Sequence, residues 1–242
     1  MVSAVTPGFP GLPGAVAVSR LRVYDWPAAD GLSGGTPHLH LTCSEAYVVT
    51  GGSGSVQTLT TAGYEVTDLV PGTVAWFTPG TIHRLVNERD LSITVLMQNG
   101  GLPEAGDAVM TLPPRYLTDP GIYAAATVLP TDASEEERAR RARARRDLAL
   151  EGYRALLDAD GPEPLAAFHR AAAALVGPRL AEWRERWLRG AGAAAAATGD
   201  QLDRLERGDL WHLAEAAVRA GQPSARGRFG MCGRLDVYEA AD

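Results

Sequence analysis

The sequence predicts a mainly β protein: a β-sandwich or barrel over residues 15–130, an α-helical region over 131–225, and a closing segment, 226–242, that returns to the β-structure as a strand. Three observations carry this. Up to about residue 130, Val, Thr, Tyr, Trp and Gly dominate in short runs split by turn residues, as in HLHLT, EAYVVT, GSVQTLT, YEVTDLV and TVAWFT. Strand formers at that spacing build sandwiches and barrels. Beyond it, Ala, Arg, Glu and Leu take over at a helical period. At the end, Phe229, Met231, Leu235 and Val237 fall on one face at a period of two within 228–239, and a lone strand needs a sheet to join.

The remaining elements follow in chain order. Residues 1–14 are rich in Gly and Pro and read as a flexible arm; they lack the basic segment and apolar stretch of a secretory signal. Ser134 caps a helix whose first turn is Glu135, Glu136 and Glu137, placed at the positive end of the helix dipole. That helix runs to about Asp158, where Gly161-Pro162 breaks the pattern. A second covers about 164–176 and ends at Gly177-Pro178, and a third covers about 179–189. Ala191–Gly199 reads as a flexible link or frayed helix before a fourth helix over about 200–220. The run ERARRARARR, 137–146, reads as a solvated helix face bracketed by acids. Trp183 and Trp187, spaced i, i+4, read as packing residues, as does Trp211; His169 and His212 read as structural.

Composition excludes several chemistries. All 23 basic residues are Arg, so neither a Schiff-base lysine nor a P-loop lysine is present. Residues 1–131 carry 5 Arg against 10 acids, and 132–242 carry 18 against 19. Neither part is a basic nucleic-acid domain. No apolar run is long enough to cross a bilayer. Cys43 and Cys232 stand alone and far apart, so a cytoplasmic setting is the expectation.

The chemistry concentrates in two blocks, 34–52 and 71–87. His38 and His40 are two apart, so on a strand they share a face. Glu45 follows at the start of the strand AYVVT, and His83 follows the Pro79-Gly80 turn. Three imidazoles and one carboxylate suit one divalent first-row ion, with Fe, Mn, Ni, Zn and Co all candidates. Four protein ligands leave an octahedral ion positions for water or substrate, which favours catalysis over a closed structural site.

These two blocks resemble the motifs of the cupins. The first cupin motif is a Gly-rich approach, H-x-H, a short gap, Glu, and a Gly after the following strand. Here four residues separate His40 from Glu45 and six separate Glu45 from Gly52. The second is Gly, a strand, P-x-G, His and Asn, matched by Gly72, Thr78-Pro79-Gly80, His83 and Asn87. Leu32 stands where the first Gly is expected, flanked by Gly31 and Gly34, and Thr78 replaces the first Pro; neither change touches a ligand position. The resemblance implies a jelly-roll β-barrel and a metal bound by His38, His40, Glu45 and His83. It also implies a homodimer, since cupin barrels commonly pair through an exposed sheet.

Around the ligands, Tyr47 shares the Glu45 face and is a candidate proton donor or pocket wall. Trp76 and Gln98 are candidate substrate contacts, although Trp76 can equally be core, and Gln98 with Asn99 can simply end its strand. The expected function is a metal-dependent enzyme acting on a small polar metabolite. Two reaction types stand open: isomerisation or epimerisation of a sugar or keto acid, and Fe(II)-dependent dioxygenation. The rival is a ligand-binding or sensor module.

Overall fold

The computed structural model describes residues 12–238. The expected arm of residues 1–14 therefore lies mostly outside the described residues; its last residues enter a short 3-10 turn at Pro13–Ala15.

Two strands of sixteen residues organise the barrel: β3 (Glu45–Thr60) and β6 (Ile82–Met97). Both bend midway and so belong to two facing layers. In one layer, the first half of β3 lies between β5 (Val74–Phe77) and the second half of β6, which in turn pairs with β1 (Ala17–Val23). In the other, the second half of β3 pairs with β4 (Gly63–Leu69), and the first half of β6 pairs with β2 (His38–His40), which pairs with β7 (Ala108–Met110). All these pairings are antiparallel. The bend falls where the β3–β6 register shifts, between Val49 and Gly54. Gly52 sits there at φ 73°, with backbone oxygens 2.3 Å from where a Cβ would stand, so the bend requires glycine.

The helical region packs on this barrel and shares its core. Helix α1 (Pro120–Thr127) was not anticipated, although Asp119 caps it by accepting from the Gly121 and Ile122 amides. Helix α2 (Glu135–Leu157) begins at Ser134 as expected, its hydroxyl accepting from Glu137 N. Gly152 lets it approach closely: an added Cβ would stand 2.1 Å from Thr111 O. Helices α3 (Glu163–Val176) and α4 (Leu180–Trp187) follow. A π turn over Leu188–Gly192 leads into α5 (Ala193–Glu206), and α6 (Trp211–Ala214) is a single turn. The expected fourth helix over 200–220 is therefore displaced. The Ala-rich stretch is helix rather than link, because Ala is the strongest helix former, and Gly208 at φ 72° ends the regular run.

Two other expectations change. The Arg run is not wholly solvated. Arg145 and Arg146 are buried, donating to Thr127 O and Gly230 O, and to Trp26 O and Pro27 O. A guanidinium carries enough donors to satisfy several loop carbonyls at once. Of the tryptophans, Trp183 is buried and donates to Ala105 O, whereas Trp187 and Trp211 are exposed.

The chain does return to the barrel, but as a hairpin. Strands β8 (Ala225–Phe229) and β9 (Gly233–Val237) pair with each other, and β9 pairs with β1. The turn 230–232 closes with Gly230 N donating to Gly233 O at 2.8 Å. The period of two thus spans two strands and a turn rather than one strand.

Candidate metal centre

His38 and His83 face each other across the β2–β6 ladder, and His40 lies two residues along β2. All three imidazoles come from one layer. Glu45 opens β3 in the opposite layer, so its carboxylate meets the imidazoles between the layers. All four side chains are buried, and one ligand atom from each lies within 4.8 Å of every other. Glu45 Oε2 is 3.0 Å from His83 Nε2 and 3.3 Å from His40 Nε2. Adjacent ligands on an ion with bonds of about 2.1 Å stand roughly that far apart.

Each imidazole is held from behind. His38 Nδ1 donates to Thr36 O at 2.8 Å, His83 Nδ1 donates to Thr81 O at 3.2 Å, and His40 Nδ1 meets Asp107 Oδ2 at 3.1 Å. With Nδ1 occupied by an acceptor, each ring presents Nε2 and its lone pair to the centre, as metal-ligating histidines do. Asp107 is fully buried and also accepts from Thr42 N, Thr42 Oγ1 and Cys43 N.

Burial, reinforced by the neighbouring His83 and His40, lowers the pKa of His38 well below its usual value. Burial also pulls on His40, but its hydrogen bonds with Asp107 and Glu45 prevail and raise it to about 9. For Glu45, burial opposes ionisation, yet His83 and His40 hold it well below the usual carboxylate range.

The residues fit a divalent cation. Glu45 Oε2 and His83 Nε2 are buried 3.0 Å apart, yet neither makes a hydrogen bond of good geometry, a costly state for polar atoms unless something between them supplies a partner. A cation at the shared focus of one carboxylate and three Nε2 lone pairs satisfies both.

The other expected residues divide. Tyr47 is fully buried on the Glu45 face, its ring 5.0 Å from Phe77 and 6.2 Å from His83. Burial and the Glu45 charge push its phenol well above the ordinary range. Trp76 is corrected: it alternates away from Glu45 and is 72% exposed on the outer face. Phe77, paired with Glu45 across the ladder, takes the inner position and stacks on His83 at 4.9 Å. Gln98 is exposed; its side chain accepts from Ser44 N at 3.3 Å, and Asn99 turns the chain at φ 56°. These contacts are those of a strand end.

Sequence reasoning missed three contributors. Asp107 lies 67 residues from His40 in no recognisable pattern. The Thr36 and Thr81 carbonyls each lie two residues before a ligand, a repeat that was visible. The terminal segment was expected on the sheet as a single strand, not as a hairpin at the centre, where Cys232, Met231, Leu235 and Val237 help line a cavity that includes His38, His40 and Glu45.

No protein-family model and no curated protein matches the chain. Among solved structures, an uncharacterized conserved protein with a double-stranded β-helix domain from Klebsiella pneumoniae is 18% identical over 36% of this chain and 67% of its own, at a TM-score of 0.28. A Streptomyces PAC13 variant with uridine is 14% identical over 44% and 71%, at 0.30. The TDP-fucose-3,4-ketoisomerase WlaRA from Campylobacter jejuni is 13% identical over 37% and 64%, at 0.31. The antiparallel barrel and the buried cluster on β2, β3 and β6 bear out the cupin resemblance read from the two motifs. The class is a cupin-type barrel carrying a buried three-histidine, one-carboxylate site, with a helical region and a terminal hairpin added.

Proposed function

We propose that this protein is a metal-dependent enzyme whose small-molecule substrate binds against the ion held by His38, His40, Glu45 and His83. One observation carries the reading: among the described residues, a cavity of about 360 Å³ is lined by His38, His40 and Glu45, so a molecule in it meets the ligand set directly. A bound divalent ion supplies Lewis-acid polarisation of a substrate oxygen, or redox chemistry if it is iron. The chain's residues orient the substrate and exclude water.

Of the two reaction types, we take oxygenation as the one to test first, because it asks only for an open position on the ion. Isomerisation needs a proton acceptor within reach of the reacting carbon. Apart from the ligands, the titratable groups lining the cavity are Glu104, Arg228, Cys232 and Tyr238. Glu104 is exposed and accepts from Gly101 N, and burial pushes the Cys232 thiol upward, keeping it neutral. Neither Glu104 nor Cys232 is a base aimed at the cavity interior, and Arg228 is a cation, which leaves the Tyr238 phenol as the lining group able to exchange a proton. A regulatory reading draws no support from the helical region, where acids balance arginines. No helix among the described residues is long and apolar enough to cross a membrane. A homodimer is part of this proposal; the exposed Tyr64, Val66, Val74 and Trp76 on β4 and β5 offer an apolar edge for it.

The test is to load the protein anaerobically with Fe(II) and add nitric oxide as a surrogate for dioxygen. A high-spin iron–nitrosyl paramagnetic signal shows an open position beside the four ligands. Stoichiometric iron without that signal would reject the oxygenase reading.

A further inference from the structure

The sheet register assigns a chemical character to the cavity wall. Across one layer, Glu45 is level with Met97 and Ala17; Tyr47 with Val95, Ser19 and Val237; and Val49 with Ile93, Leu21 and Leu235. Leu235 and Val237 therefore project from the same sheet face as the metal ligand Glu45, although they enter the layer on the last strand. Phe229 and Met231 extend this surface along the hairpin. The charged lining residues other than the ligands, Glu104 and Arg228, are exposed and of opposite sign. The interior thus has a polar end, the ligand set, and a mainly apolar wall, much of it from the terminal hairpin, with Ser19 and Tyr238 as its uncharged polar side chains.

A polyhydroxylated molecule placed here would bury hydroxyls against Leu, Met and Val side chains that offer them nothing to bond. A molecule with one oxygen-donor head and an apolar body matches both ends. We infer that the substrate is a small carboxylic or keto acid with an apolar chain or ring, its head at the ligand set and its body against Met231, Leu235 and Val237, which set its size. This deepens the metal-enzyme reading above and rests on it for the placement of the head.

The test uses straight-chain monocarboxylates from acetate to octanoate, titrated calorimetrically into metal-loaded and metal-free protein, with glucose as the polyol comparison. Affinity is expected to rise about two- to fourfold per added methylene until the cavity is full, with glucose not binding. Leu235→Gln should flatten the rise, and Met231→Ala should move its plateau to longer chains. Circular dichroism and the melting temperature check that both variants are folded. A rise seen in metal-free protein that takes up no metal supports the apolar subsite while rejecting the metal centre. Full metal uptake with no dependence on chain length overturns the subsite alone. A rise unchanged in both variants also overturns it, because the body then lies elsewhere.

Discussion

Asp107 grips His40 from behind, its Oδ2 3.1 Å from His40 Nδ1, while its Oδ1 accepts from the amide and hydroxyl of Thr42. One buried carboxylate thereby fixes both the tautomer of a ligand and the loop that leads on to Glu45. Asp107→Asn keeps the volume but weakens the grip. It should lower metal affinity about 10- to 100-fold, read by competition with a chromophoric chelator.

Removing ligands should act more sharply. The protein as purified, or after reconstitution, should bind close to one divalent ion per chain, counted by elemental analysis. His40→Ala or His83→Ala should cut affinity by a hundredfold or more, since each removes a bond and leaves a gap in a buried set. A His38→Ala, His83→Ala double variant that retained full occupancy would show that the ion sits elsewhere.

The hairpin should matter to the site although it holds no ligand. Met231 O accepts from both the amide and the hydroxyl of Thr36, and Thr36 O orients His38. Gly230 O accepts from buried Arg145 and from Tyr24. Deleting residues 224–242 removes the β1–β9 ladder and strands these donors, costing several kcal/mol. Both melting temperature and metal affinity should fall; an unchanged melting temperature would make the hairpin a dispensable tail.

Gly152→Ala tests the seat of α2. In an exposed helix this change would stabilise by about 0.5–1 kcal/mol. Here the new methyl would meet the Thr111 carbonyl at 2.1 Å, and overpacking of that kind costs about 1–3 kcal/mol. The net effect should be destabilising in a denaturant titration, opposite in sign to the propensity effect.

Acid should loosen the hairpin through Asp236. Its hydrogen bonds from Arg22, on β1, and Gly227 N, on β8, hold its pKa below the usual carboxylate value. The sign follows: the stabilisation is complete above the unfolded carboxylate pKa of about 3.9 and disappears as pH falls through the lower folded value. Asp236→Asn should therefore melt below the parent at pH 6, and the gap should close as the pH drops below about 4.

What the sequence by itself determined is local. The pairing of His38 with His40 on one face, Glu45 at a strand start, His83 after its turn and Ser134 at a helix cap each depend on neighbours within a few residues. Strand and helix periods carry that information in any context. Only the tertiary structure decided the rest. Which of Trp76 and Phe77 faces His83 follows from the register of β5 on β3, because a slip of one residue would exchange them. Arg145 and Arg146 looked solvated because their composition is charged, yet they are buried on carbonyls of distant loops. Asp107 reaches His40, and Leu235 reaches the Glu45 face, across separations that no short-range pattern records. Those contacts arise when the layers close and the last strand docks. At that point each buried polar group must find its partner through space, and sequence neighbours no longer decide which one it finds.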